Sequence, residues 1–158
     1  MFNQSNPSTP AVSDSPNPLF KAHLRIARPT PSIPSVLPFY IQGLGFTLLS
    51  SFNNHNGFDG AILGHPSLPY HLEFTTQHGH EHEGRAPTKD NLLVFYLPDQ
   101  EEWTLAVERM QSLGFESVRA ENPWWEGDGK EAADGGTEGR TYEDADGWKV
   151  VLYRGVWN

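Results

Sequence analysis

The chain has 158 residues, 37% of them apolar and 12% aromatic, which suits one domain with a sizeable core. A net charge of −9 repels a phosphate backbone, and no basic amphipathic stretch suits a membrane surface, so neither nucleic acid nor membrane is an expected partner. There is no cysteine, which excludes disulfides, thiolate nucleophiles and thiolate metal sites together and fits a cytoplasmic protein.

Residues 1–18 carry Pro7, Pro10, Pro16 and Pro18 among Ser and Asn, with no helical or strand period. They read as a flexible tail before a single domain over 19–158. The tail has neither the apolar core of a signal peptide nor the Arg of a transit peptide.

Residues 20–27 alternate as a strand, with Ala22, Leu24 and Ile26 on one side and Lys21, His23 and Arg25 on the other. Pro29 and Pro31 end it. A short helix is expected over 32–43, with Ser35 as cap so that Pro38 falls in the first turn. Gly43 and Gly45 stop it. Strands follow at 46–52, 58–63 and 70–76. In the last of these Tyr70, Leu72 and Phe74 face the core, and His71, Glu73 and Thr75 face away.

A polar loop over 77–89 separates this half from the next. Its His78-Gly79-His80-Glu81-His82 run lacks apolar support and reads as a solvated loop that binds added metals weakly. Residues 91–97 form a strand, with Leu92, Val94 and Tyr96 opposite Asn91, Leu93, Phe95 and Leu97. Asp99 caps a helix, Glu102 completes a capping box, and Trp103, Val107, Met110 and Leu113 form its buried stripe. Gly114 stops that helix, and 115–118 is strand-like. Asn122-Pro123-Trp124-Trp125 opens an acidic, Gly-rich stretch that lacks a calcium-loop register and reads as a flexible surface insertion around 127–139. The last strand covers 148–154 after the Asp146-Gly147 turn.

The two halves repeat. Leu44-Gly45-Phe46 closes the first helix and Leu113-Gly114-Phe115 the second. The order strand, helix, glycine stop, strands occurs twice, which indicates α+β architecture with modules at about 19–77 and 90–154.

The repeated pieces resemble the vicinal-oxygen-chelate superfamily, which includes glyoxalase I, extradiol dioxygenases and bleomycin and fosfomycin resistance proteins. The likeness rests on Leu24-Arg25-Ile26 before a proline break, Phe39-Tyr40 leading to Gly43-Leu44-Gly45-Phe46, Tyr70-His71-Leu72-Glu73-Phe74, and 144–152. It spans roughly residues 20–154 and is nearest to small uncharacterised bacterial members. It implies two βαβββ modules forming an open, cup-shaped barrel with the helices outside and a ligand inside.

The same resemblance implies a divalent metal held by the first and fourth strands of each module. Carried over by position, those sites fall on Lys21, Glu73, Asn91 and Val151, of which only Glu73 is a proper ligand. The favoured expectation is therefore a small organic ligand without a metal. Arg25, His71, Glu73 and Asn91 would supply its polar contacts, and Leu93, Phe95 and Trp124 its apolar ones. Glu73 is the residue placed to act as a general base. The alternative is a metal-dependent lyase, isomerase or dioxygenase in which His23, His71 and Glu73 hold Zn, Fe, Mn or Ni. A homodimer fits the resemblance, although no residue marks an interface.

Overall fold

In a computed structural model, the described residues are 18–80, 84–127 and 136–157. The tail expectation for 1–17 and most of the acidic insertion, 128–135, therefore lie outside the described residues, as do Glu81 and His82.

The first module runs β1 (Leu24–Pro29), α1 (Ile33–Pro38), β2 (Thr47–His55), β3 (Phe58–Gly64) and β4 (Tyr70–Gln77). The second runs β5 (Leu92–Tyr96), α2 (Gln100–Ser112), β6 (Ser117–Val118), β7 (Glu138–Glu143) and β8 (Lys149–Arg154). Each module forms its own four-stranded sheet, ordered β1-β4-β3-β2 and β5-β8-β7-β6. In each, the first strand runs parallel to the last, and the other neighbours are antiparallel. The sheets are not closed into a barrel; the two-module, cup-like layout agrees with the expected architecture.

Local chemistry explains the helices. The Asp99 carboxylate accepts the Glu102 amide at 2.9 Å, the N-cap half of the expected capping box. α1 is capped by Ser32 rather than Ser35, so Pro38 stands inside it. Proline lacks an N–H and crowds the carbonyl four residues back. The chain widens there into a π turn over Phe39–Gly43, closed by the Leu44 amide on the Phe39 carbonyl at 3.0 Å. The repeat seen in the sequence is also present in the backbone. Gly45 and Gly114, at the two helix stops, both have φ of 81°, where an L side chain is strained.

β1 starts at Leu24 rather than residue 20, because Pro18–Lys21 is a 3-10 turn. Lys21, the carried-over metal position, thus lies off the strand. The acidic segment needs a larger correction. Glu138–Glu143 is strand β7, paired with β8, and Gly127 bridges Glu138. The strand was hidden in the sequence because Gly139 interrupts its alternation. That glycine is required: a Cβ there would collide with the Trp125 carbonyl oxygen.

One core serves both modules. Val36, Phe39 and Tyr40 from the first helical segment and Trp103 and Met110 from α2 pack with Leu72, Phe74, Val150 and Leu152. Both helices therefore cover the same side of the sheets. Among the described residues the opposite side carries the alternate strand residues and no α-helix.

A buried charged cluster ties the modules together. Arg28, at the end of β1, pairs with Asp144, and with Asp146 at 3.1 Å, on the turn before β8. Its guanidinium stacks between Phe74 and Trp148, at 4.7 and 4.9 Å from the ring centres. The Tyr40 hydroxyl donates to Asp144 at 2.8 Å, and burial together with the Asp144 charge pushes the phenol pKa well up. Asp144 also accepts the Asp146 and Trp148 amides, at 2.9 and 3.0 Å.

Candidate ligand site on the helix-free face

The helix-free face of the first sheet presents Arg25 and Ala27 on β1 beside His71 and Glu73 on β4, as the pairs Arg25–His71 and Ala27–Glu73 dictate. Glu73 is 15% exposed and is held by Arg25 at 3.2 Å. His23, just before β1, lies against His71 with ring centres 3.9 Å apart. His71 Nδ1 is buried without a hydrogen-bond partner. Burial, then the charges of His23 and Arg25, hold the His71 imidazole below its ordinary pKa. The face thus offers an acceptor carboxylate, a half-exposed guanidinium and an imidazole biased to its neutral form.

The second sheet answers differently. Its helix-free face carries Leu92 and Val94 on β5 and Lys149, Val151 and Tyr153 on β8. Trp125 packs edge-on over Tyr153 at 5.7 Å between ring centres. Lys149 is only 6% exposed and occupies, by register, the place that His71 has in the first module. A slit of about 110 Å³ lies between the sheets; Ala27, Glu73 and Leu92 line it from this face, and Arg28, Tyr40, Phe74 and Leu93 are among those that line it from the core side.

The expected residues divide accordingly. Arg25, His71 and Glu73 come together. Phe95 does not join them: it packs into the common core on the helix side, because it pairs with Leu152, whereas Leu93, which pairs with Val150 and packs on the same core, also lines the slit beside Glu73. Both faces of β5 are apolar, so alternation alone could not choose between them. Asn91 lies just before β5, where its side-chain oxygen accepts the Thr88 hydroxyl at 2.7 Å and fixes the turn. Trp124 is 68% exposed on the 3-10 turn Pro123–Glu126, and its neighbour Trp125 makes the packing contact instead. Arg28 and Lys149 were missed. The signal for Arg28 was a lone cation in phase with Leu24 and Ile26, matched by an Asp-x-Asp turn before β8.

The metal set implied by the resemblance does not fit these residues. To the helix-free face β1, β5 and β8 supply Arg25, Ala27, Leu92, Val94, Lys149, Val151 and Tyr153, none of them a usual ligand for a divalent ion, and of the first and last strands only β4 contributes ligand types, His71 and Glu73. His23 and His71 touch, but Glu73 is engaged by Arg25. Among the described residues, no group of three or more His, Asp or Glu is placed to hold a metal ion. His78 in the histidine-rich loop pairs with Asp59 at 3.1 Å.

Comparison with known proteins agrees with this architecture. The YycE-like N-terminal domain model matches residues 24–75, and the YycE-like C-terminal domain model matches 90–154. YycE, an uncharacterised protein of Bacillus subtilis (strain 168), is 38% identical over 131 residues, covering 83% of this chain and 86% of its own. A crystal structure of a YycE protein of unknown function from Bacillus subtilis superposes with a TM-score of 0.70 at 36% identity, over 87% of this chain and 93% of that one. A glyoxalase I variant from Zea mays shares the fold at a TM-score of 0.63 and 18% identity, over 84% of this chain and 45% of that one. TnmS3, an antibiotic binding protein from Streptomyces sp. CB03234, does so at 0.55 and 16%, over 83% and 93% of the two chains. The chain therefore belongs to the YycE-like family and has the vicinal-oxygen-chelate fold.

Proposed function

We propose that the helix-free face binds a small organic molecule without a family-type divalent metal. The observation that carries this reading is the cluster of Arg25, His71 and Glu73 beside a slit whose other edge, at Leu92, is apolar. A bound molecule would place an oxygen-rich end on the half-exposed Arg25, beside His71, and its apolar part along the partly exposed Leu92 and Val94. Glu73 would accept a hydrogen bond from a ligand hydroxyl or amide, the geometry from which it could also take a proton. That one fold-mate is an antibiotic binding protein is consistent with a binding role. The reading includes a cytoplasmic location and pairing of two copies, tested by fractionation and sedimentation velocity. Among the described residues no helix is long and apolar enough to cross a membrane.

The test is elemental mass spectrometry of untagged protein purified without chelators. Negligible metal per chain is expected. About one Zn, Fe, Mn or Ni per chain, lost on Glu73→Gln, would overturn the proposal in favour of metal-dependent lyase, isomerase or dioxygenase chemistry at His23, His71 and Glu73.

A further inference from the structure

The module repeat relates two places on the helix side of the molecule, and the chain treats them in opposite ways. In the first module β1 pairs Arg28 with Phe74; in the second β5 pairs Phe95 with Leu152. Arg28 and Phe95 are thus equivalent positions. The turn before β8 supplies Asp144 and Asp146 to Arg28 and fills its place with charge. The corresponding turn before β4 supplies Leu68 and no carboxylate, and Phe95 cannot ion-pair. That second place is open. It is a cavity of about 590 Å³, walled by Phe46, Leu68, Tyr70, Phe95 and Leu105, with Arg109 of α2 at its edge.

Size and chemistry both point to a ligand. The volume lies within the range of about 300–1,000 Å³ common for small-molecule pockets. Arg109 donates to two neutral acceptors, the Gln42 carbonyl at 2.6 Å and the Ile41 carbonyl at 3.5 Å. Among the described residues no carboxylate pairs with it, so an exposed guanidinium without an ion-pair partner lines an otherwise largely apolar cavity. Its Nη1 lies over Gly45, 3.5 Å from where a Cβ would stand, which keeps that corner open. Leu105 is exposed on the rim with no partner to cover it in the single chain.

We propose that this cavity is a second binding site, separate from the helix-free face, for an apolar monocarboxylate whose acid group pairs with Arg109. The apolar body lies between Phe46, Phe95 and Leu105. The site is independent of whether the helix-free face binds a ligand.

The experiment is a titration of the full chain with decanoate, followed by two-dimensional NMR and calorimetry, with decan-1-ol as the uncharged probe. Decanoate should shift Phe46, Leu68, Tyr70 and Leu105 and bind roughly tenfold tighter than decan-1-ol, as expected for one charge-assisted pair. Arg109→Gln should remove that advantage and Arg109→Lys should restore part of it. Because Arg109 also holds helix carbonyls, Leu68→Trp provides a separate check: it leaves Arg109 in place, fills the cavity and should abolish binding. Equal affinity for acid and alcohol would overturn the proposal. So would shifts confined to His71 and Glu73, absence of binding, or a dimer that buries Leu105 and is dispersed by Leu105→Glu.

Discussion

Arg28→Met tests whether the buried charged cluster holds the modules together. The substitution keeps an apolar stem between Phe74 and Trp148 and removes the cation. It leaves the Asp144 and Asp146 side chains, 0% and 4% exposed, without their partner. Breaking a buried pair in this way costs about 3–5 kcal/mol. Asp144 keeps the Tyr40 hydroxyl and two backbone amides, which places the cost near the lower end, at about 3 kcal/mol. For a chain of this length that corresponds to a fall in Tm of roughly 6–12 °C. The assay is urea unfolding followed by Trp fluorescence, combined with calorimetry. The pH dependence has a definite sign. Burial raises the Asp144 pKa, with Arg28 pulling it down, so its contribution to stability is present below its unfolded pKa and is lost as pH rises through the folded one. Without Arg28 the folded pKa rises further, so the deficit of the variant should be larger at pH 8 than at pH 5. Adding Asp144→Asn to Arg28→Met should recover part of the loss. A loss below about 1 kcal/mol, with no coupling to Asp144, would refute this account of the module tie.

Further outcomes follow from the site and the backbone. His71 should titrate below its ordinary pKa by NMR and move upward in Arg25→Gln, since Arg25 is one of the charges that disfavour its protonation; an unchanged midpoint would contradict this. Because that folded pKa is depressed, the His71 contribution should be present at neutral pH and decline as pH falls through the folded value. Glu73→Gln should alter stability by less than about 1 kcal/mol, because Arg25 is half exposed, while weakening any ligand bound to the helix-free face. Gly114→Ala should cost about 1–2 kcal/mol from backbone strain alone, since its Cβ would meet nothing. Gly139→Ala should cost more, because its Cβ would strike the Trp125 carbonyl; equal costs in urea unfolding would refute that distinction.

Much of the fold was legible in the sequence, for physical reasons that particular residues illustrate. The Asp99 cap of α2 and the paired Leu-Gly-Phe helix stops are local signals, and the structure realises both. The polar face of β4 was readable because His71 and Glu73 alternate with Leu72 and Phe74. β5 was not, because Leu92, Val94 and Tyr96 are as apolar as Leu93, Phe95 and Leu97, and only the packing of α2 against Val150 and Leu152 breaks the tie. β7 escaped notice because the glycine needed for contact with Trp125 spoils the strand pattern. Arg28 escaped it because its partners lie 116 and 118 residues away, a separation that no local pattern encodes.

The measurement that bears most directly on the ligand site is an NMR fragment screen against the ¹⁵N-labelled full chain in EDTA. The account predicts that fragments joining an oxygen-rich end to an apolar body shift Arg25, His71 and Glu73 with no metal present, and that Glu73→Gln weakens them. Shifts at these residues that appear only after Zn, Fe, Mn or Ni is added, or no fragment reaching them at all, would contradict it.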